Sequence, residues 1–149
     1  MLKQGSILLV EDNPDDEMLT LRALKKNHIA NPVIVVRDGA EALDYIFAKG
    51  AFKNRDVNEI PTIVLLDLKL PKVDGLEVLR QLRNDPHTYL VPVVILTTSN
   101  EERDKLKSYD LGANSYILKP VDFNQFNLVI GQMGMYWLLL NQNPPLQES

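Results

Sequence analysis

Three carboxylates, a hydroxyl and an ammonium each follow a short apolar run in this chain. Glu11 and Asp12 follow SILLV, Asp67 follows TIVLL, Thr97 follows PVVIL and Lys119 follows NSYIL. Each has an ordinary explanation alone: a helix-dipole acid, a loop acid, a β-prone threonine, a solvated lysine. The conjunction is harder to dismiss. Three carboxylates held close together repel and have raised pKa values unless a cation joins them. A hard divalent ion such as Mg²⁺ suits a few carboxylates, a backbone carbonyl and retained waters, and leaves room for phosphoryl oxygens. Asp67 can then act as a nucleophile toward an activated phosphoryl group, forming a mixed anhydride. Mg²⁺ and Lys119 would neutralise the transferring group, while Thr97 would hydrogen-bond one of its oxygens.

Such a constellation needs a rigid mount. The segments 6–10, 32–36, 62–66, 92–96 and 114–118 are brief and mostly β-branched or leucine, which predicts strands. Between them, helical stretches are predicted at about 14–28, 39–48, 74–84, 100–111 and 121–140. Asn13-Pro14 followed by three acids is a helix start, with Asn as cap and Asp15, Asp16 and Glu17 facing the dipole. Five strands alternating with five helices imply an α/β fold, a parallel sheet covered on both faces. In such sheets ligands gather at the carboxyl ends of the strands, where the strand order reverses. The segment KGAFKNRDVNEI, 49–60, is predicted as a longer polar loop.

Composition narrows the class. At 149 residues the chain is most simply one domain. A net charge of -4 without a basic run argues against nucleic acid as partner. No cysteine is present, so disulfides and thiolate metal sites are excluded. No stretch reaches the roughly 18 apolar residues of a membrane span. A cytoplasmic protein away from the membrane is expected.

The motifs LLVEDNP, VLLDLKLPKVDG, VVILTTS and SYILKP, in this order and spacing, resemble the receiver domain of two-component response regulators. The resemblance covers residues 5–140, leaving 141–149 as a short polar tail. It implies a doubly wound sheet of five parallel strands in the order 2-1-3-4-5. It implies Asp67 as phosphoacceptor, Asp12 as direct Mg²⁺ ligand, Glu11 acting mainly through water, and the Lys69 carbonyl as a further ligand. Lys119, before a cis proline, would contact the phosphoryl group. Thr97 and Tyr116 match the switch pair, in which the hydroxyl moves to the phosphate and the ring follows inward. Lys69 and Ser99 occupy positions that tune phosphate lifetime. The partner implied is a histidine kinase. The 49–60 loop, the LTTSNEERD run and the aromatic-rich last helix are similar to small stand-alone regulators paired with cyanobacterial phytochromes, so the kinase would be a phytochrome.

The output is expected to be a change in binding. On the last helix Phe126, Val129, Ile130, Met133, Trp137 and Leu140 share one side. Leu128, Met135, Leu138 and Leu139 fall opposite, an apolar stripe that predicts a homodimer. Two other classes compete. A Mg²⁺-dependent aspartyl phosphatase would need a second acid two residues after its nucleophile, where Lys69 stands. A pseudo-receiver binding module would lack an acid, the threonine or the lysine.

Overall fold

The computed structural model describes residues 5–120 and 122–132. The apolar runs form strands β1 (Ile7–Val10), β2 (Val33–Val36), β3 (Ile63–Leu66), β4 (Val93–Thr97) and β5 (Ser115–Leu118). The helices are α1 (Pro14–Lys26), α2 (Gly39–Ile46), α3 (Gly75–Arg83), α4 (Glu102–Asp110) and α5 (Phe123–Gln132). All strand pairs are parallel, in the order β2-β1-β3-β4-β5. This is the doubly wound topology expected. Residues alternate along each strand between two cores. Leu8, Val10, Val64, Leu66, Val93 and Ile95 pack with Ala42, Ile46, Val78, Leu79 and Leu82 of α2 and α3. Ile7, Leu9, Ile63, Leu65, Val94, Leu96 and Ile117 face Leu24, Phe126 and Val129 of α1 and α5. Burial on both faces explains why the strands read as unbroken apolar runs.

Helix boundaries are shorter than the periodicity suggested, for local reasons. α1 stops at Lys26 because Asn27 turns its side chain onto the Ala23 carbonyl, and His28 then adopts φ 59°. α2 stops at Ile46, two residues before Ala48 at φ 55°. Asp74 and Asn84 cap α3 rather than joining it. α5 is described to Gln132, so the expectation of helix to residue 140 lies partly outside the described residues. Among the described residues no helix is long and apolar enough to cross a membrane.

The 49–60 segment departs from a plain polar loop. It holds a 3-10 turn at Gly50–Phe52 and folds back on α2. The Phe52 ring meets Tyr45 edge-on at 5.2 Å, and the Arg55 guanidinium lies 4.2 Å from the Tyr45 ring centroid. Arg55 also donates to the Tyr45 carbonyl at 2.8 Å, satisfying the carboxyl end of α2. Composition hid this because the anchoring contacts come from a few residues in a polar stretch.

Two Asp-Gly pairs build the edge where the strands end. Asp38 and Asp74 cap α2 and α3, accepting from the Glu41 and Glu77 amides at 2.7 and 3.0 Å. The following glycines let backbones touch. A Cβ on Gly39 would lie 1.7 Å from the Val73 carbonyl oxygen, and one on Gly75 would lie 2.1 Å from that of Asp67. In a helix, alanine is ordinarily favoured over glycine by about 1 kcal/mol. Here the obstacle is backbone, so the clash should win: Gly75→Ala is expected to lower stability by about 1–3 kcal/mol, measured by urea unfolding.

Candidate functional site

The functional groups leave the sheet one residue beyond its strands, still held by its ladder. The amides of Glu11, Asp67 and Lys119 bond the carbonyls of Val36, Val10 and Thr97 at 3.0, 3.1 and 2.9 Å. Parallel pairing therefore fixes three charged residues on one edge before any side chain is considered. The Lys119–Pro120 bond is cis, as expected.

Their side chains converge. The Lys119 ammonium, 4% exposed, lies 2.8 Å from Asp67 Oδ2, 3.0 Å from Asp16 Oδ2 and 2.5 Å from Glu11 Oε1. Burial by itself would lower the lysine pKa, but bonds to Asp67, Glu11 and Asp16 outweigh it and raise it. The ammonium thus stays charged. Glu11 is 1% exposed, and burial pushes its carboxyl up to about 7 against the opposing pull of Lys119. Its Oε2 accepts from the Asn13 amide at 3.2 Å, whereas Oε1 has no aligned donor despite the nearby ammonium. Asp12 stands exposed at the rim.

Glu11, Asp12 and Asp67 can each offer an oxygen such that all three lie within 4.8 Å of one another. Three carboxylates, Glu11, Asp16 and Asp67, surround the one ammonium, and with Asp12 at the rim the group has a formal charge of -3 when all are ionised. Surplus negative charge and an all-oxygen donor set fit a hard divalent cation. Lys69 has an exposed side chain, and its amide donates to Asp67 Oδ1 at 3.3 Å. The turn closes on Leu68 instead, whose carbonyl accepts from the Leu70 and Gly75 amides.

Thr97 and Tyr116 both reach Ser99. The Ser99 amide donates to Thr97 Oγ1 at 3.3 Å, and the Tyr116 hydroxyl donates to the Ser99 carbonyl at 2.8 Å. The tyrosine is already buried, and burial raises its hydroxyl pKa, keeping it a neutral donor. Ser99 Oγ in turn donates to Asp104 Oδ2 at 2.6 Å in the first turn of α4. Leu128 of the expected apolar stripe is 61% exposed, with Phe126 and Val129 buried on the other side. Met135, Leu138 and Leu139 lie outside the described residues.

Sequence reasoning assigned Asp16 only to the helix dipole and did not foresee its bond to Lys119. No local pattern marked it, because the bond exists only once α1 is packed beside the end of β5. The position of Ser99 between the switch residues was equally unforeseen, since it depends on backbone atoms.

The family model of the response regulator receiver domain matches residues 7–130. The chain belongs to this family, the receiver domains of two-component response regulators. The bacteriophytochrome response regulator RtBRR is 52% identical, with a TM-score of 0.84 covering 97% of this chain and 86% of that chain. Response regulator Rcp1 of Synechocystis sp. is 37% identical over 132 residues, 89% of this chain and 88% of Rcp1. Its Mn²⁺-bound crystal structure gives a TM-score of 0.75 at 37% identity, covering 96% and 99% of the two chains. The phosphorylated cyanobacterial phytochrome response regulator RcpA is 41% identical, with a TM-score of 0.75 over 89% of this chain and 94% of that one.

The Glu11 carboxyl supplies a pH test on the metal-free protein. Its folded pKa of about 7 exceeds the ordinary 4.5, so between these values the folded state holds the proton more firmly. Stability should therefore fall as pH rises from about 4.5 to about 7 and level off above. Urea unfolding of wild type minus Glu11→Gln across this range should isolate that slope; a flat difference would contradict it.

Proposed function

We propose that this chain accepts a phosphoryl group on Asp67 from a sensor histidine kinase, of phytochrome type, and signals by altered protein binding. The receiver unit would span residues 5–140. The observation that carries this reading is the Lys119 ammonium seated on Asp67 Oδ2 inside a cluster of carboxylates at the strand ends. The phytochrome partner is supported by the names of the similar regulators RcpA and RtBRR, at 41% and 52% identity.

In the reaction an Asp67 oxygen attacks the phosphorus of a phosphohistidine. The O–P bond forms, the P–N bond breaks, and its electron pair remains on the imidazole nitrogen, which takes up a proton. Glu11, Asp12, Asp67 and the Lys69 carbonyl would hold Mg²⁺, which supplies positive charge and coordination positions for phosphoryl oxygens. Lys119 already points at the acceptor and donates to the arriving phosphoryl group. The Thr97 hydroxyl retains its proton for a phosphoryl oxygen, since it serves as acceptor toward Ser99. Hydrolysis of the acyl phosphate by water returns the carboxylate and inorganic phosphate. The chain thus turns over only its own phosphoryl group. A phosphatase acting on other substrates is disfavoured by Lys69, which stands where a second acid would be needed. With the acids, Thr97 and Lys119 all present, nothing favours a pseudo-receiver.

Incubation with acetyl phosphate and Mg²⁺ should add one phosphoryl mass at Asp67, read by mass spectrometry. Asp67→Asn and excess EDTA should each abolish labelling, and equal labelling of Asp67→Asn would refute the assignment.

Output is proposed through the face formed by α4 and α5. Leu106 and Tyr109 on α4 and Leu128 on α5 are exposed apolar groups, and Met135, Leu138 and Leu139 would extend that surface into a homodimer interface. Phosphorylation and association would then be reciprocally linked. Sedimentation should find a concentration-dependent dimer, tightened roughly 5- to 150-fold by beryllofluoride and weakened by Leu128→Glu. A dimer indifferent to Leu128→Glu would point to another face.

A further inference from the structure

Asp16 is the one carboxylate around Lys119 that the phosphoryl chemistry does not claim. Glu11 and Asp67 belong to the group able to hold a metal, and Asp67 also receives the phosphoryl group; Asp16 is in neither role. Its Oδ2 nevertheless accepts from the ammonium at 3.0 Å, joining the start of α1 to a residue 103 positions away. Its neighbours are otherwise engaged: Asp15 is exposed, and Glu17 pairs with Arg37 at 3.1 Å. A lysine ammonium is a point charge on a flexible four-carbon stem. Once its other two acceptors are taken, it needs a fixed partner to stay aimed at the acceptor oxygen.

We infer that Asp16 is a positioning residue: it anchors the Lys119 ammonium while Glu11 and Asp67 are engaged by metal and phosphoryl group. The inference rests on the reading of Asp67 as phosphoacceptor. Asp16 acts through Lys119 and touches no reacting atom.

The test compares wild type, Asp16→Ala, Lys119→Ala and the double variant. Labelling rate with acetyl phosphate and affinity for beryllofluoride in Mg²⁺ should each fall about tenfold in Asp16→Ala, the scale of one charge-assisted hydrogen bond. Mg²⁺ affinity should change less than about threefold, since Asp16 lies outside the group of carboxylates able to hold the ion and its own charge is engaged by the ammonium. The double variant should match Lys119→Ala alone, because Asp16 has nothing to position once the ammonium is gone. Independently of turnover, the Lys119 ammonium resonance of the metal-free protein should broaden through water exchange in Asp16→Ala. Asp16→Asn, of the same shape without the charge, should show the same losses and serves if the alanine variant folds poorly. Additive losses in the double variant, or an unchanged ammonium resonance, would overturn the inference. Wild type labelled at Asp67 with Asp16→Ala at the same rate would overturn the inference alone. Failure of wild type to label at Asp67 would overturn the phosphoacceptor reading, and the inference with it.

Discussion

The structure depends on one buried cation set among carboxylates that outnumber it. An ammonium removed from water is tolerated only with close, aligned partners, and breaking such a pair leaves an uncompensated charge. Lys119 meets that condition through residues of α1, the end of β1 and the end of β3. Glu11 with Asp16, Asp67, and Lys119 come from three distant stretches of the chain, so the arrangement requires the parallel sheet. The surplus negative charge makes this an edge at which added positive charge would be stabilising.

The order of strands follows from the same constraint. β1 and β3 are adjacent at the centre of the sheet, so Glu11 and Asp67 leave it side by side, and β4 and β5 bring Thr97 and Lys119 to the same edge. The Asp-Gly starts of α2 and α3 then close on the loop after β3, with glycine admitting backbone where a methyl would collide. Apolar burial supplies the rigidity, and the polar edge uses it.

Much of this was legible in the sequence because it rests on local chemistry. TIVLLD and SYILKP announce both the strand and the charged group at its tip, and Asn13-Pro14 marks a helix start whose cap bonds are present at 2.9 and 3.1 Å. What escaped were contacts made across the fold by side chains with adequate local explanations. Asp16 reads as a dipole acid until α1 is packed beside Lys119. Arg55 reads as a loop charge until the chain turns back over Tyr45. Ser99 links Thr97 to Tyr116 mostly through its amide and carbonyl, atoms every residue carries, so no pattern of side chains could reveal it.

Arg83 ties one end of the sheet together. At the last residue of α3 its guanidinium donates to the carbonyls of Val91 and Gly112, each at 2.8 Å, and to Asn114 Oδ1 at 3.1 Å. These acceptors sit just before β4 and β5, at the amino ends of the strands whose carboxyl ends carry Thr97 and Lys119. Asn114 Oδ1 also accepts from the Val93 amide at 2.8 Å, joining the feet of the two strands to each other. One planar cation thus clamps the bases of both strands to the carboxyl end of α3. A displacement of either strand that kept these bonds would pivot about that foot, like a reed fixed at one end. Displacement would then grow along the strands toward the β4–α4 loop, the end farthest from the clamp, where Thr97 and Lys119 stand.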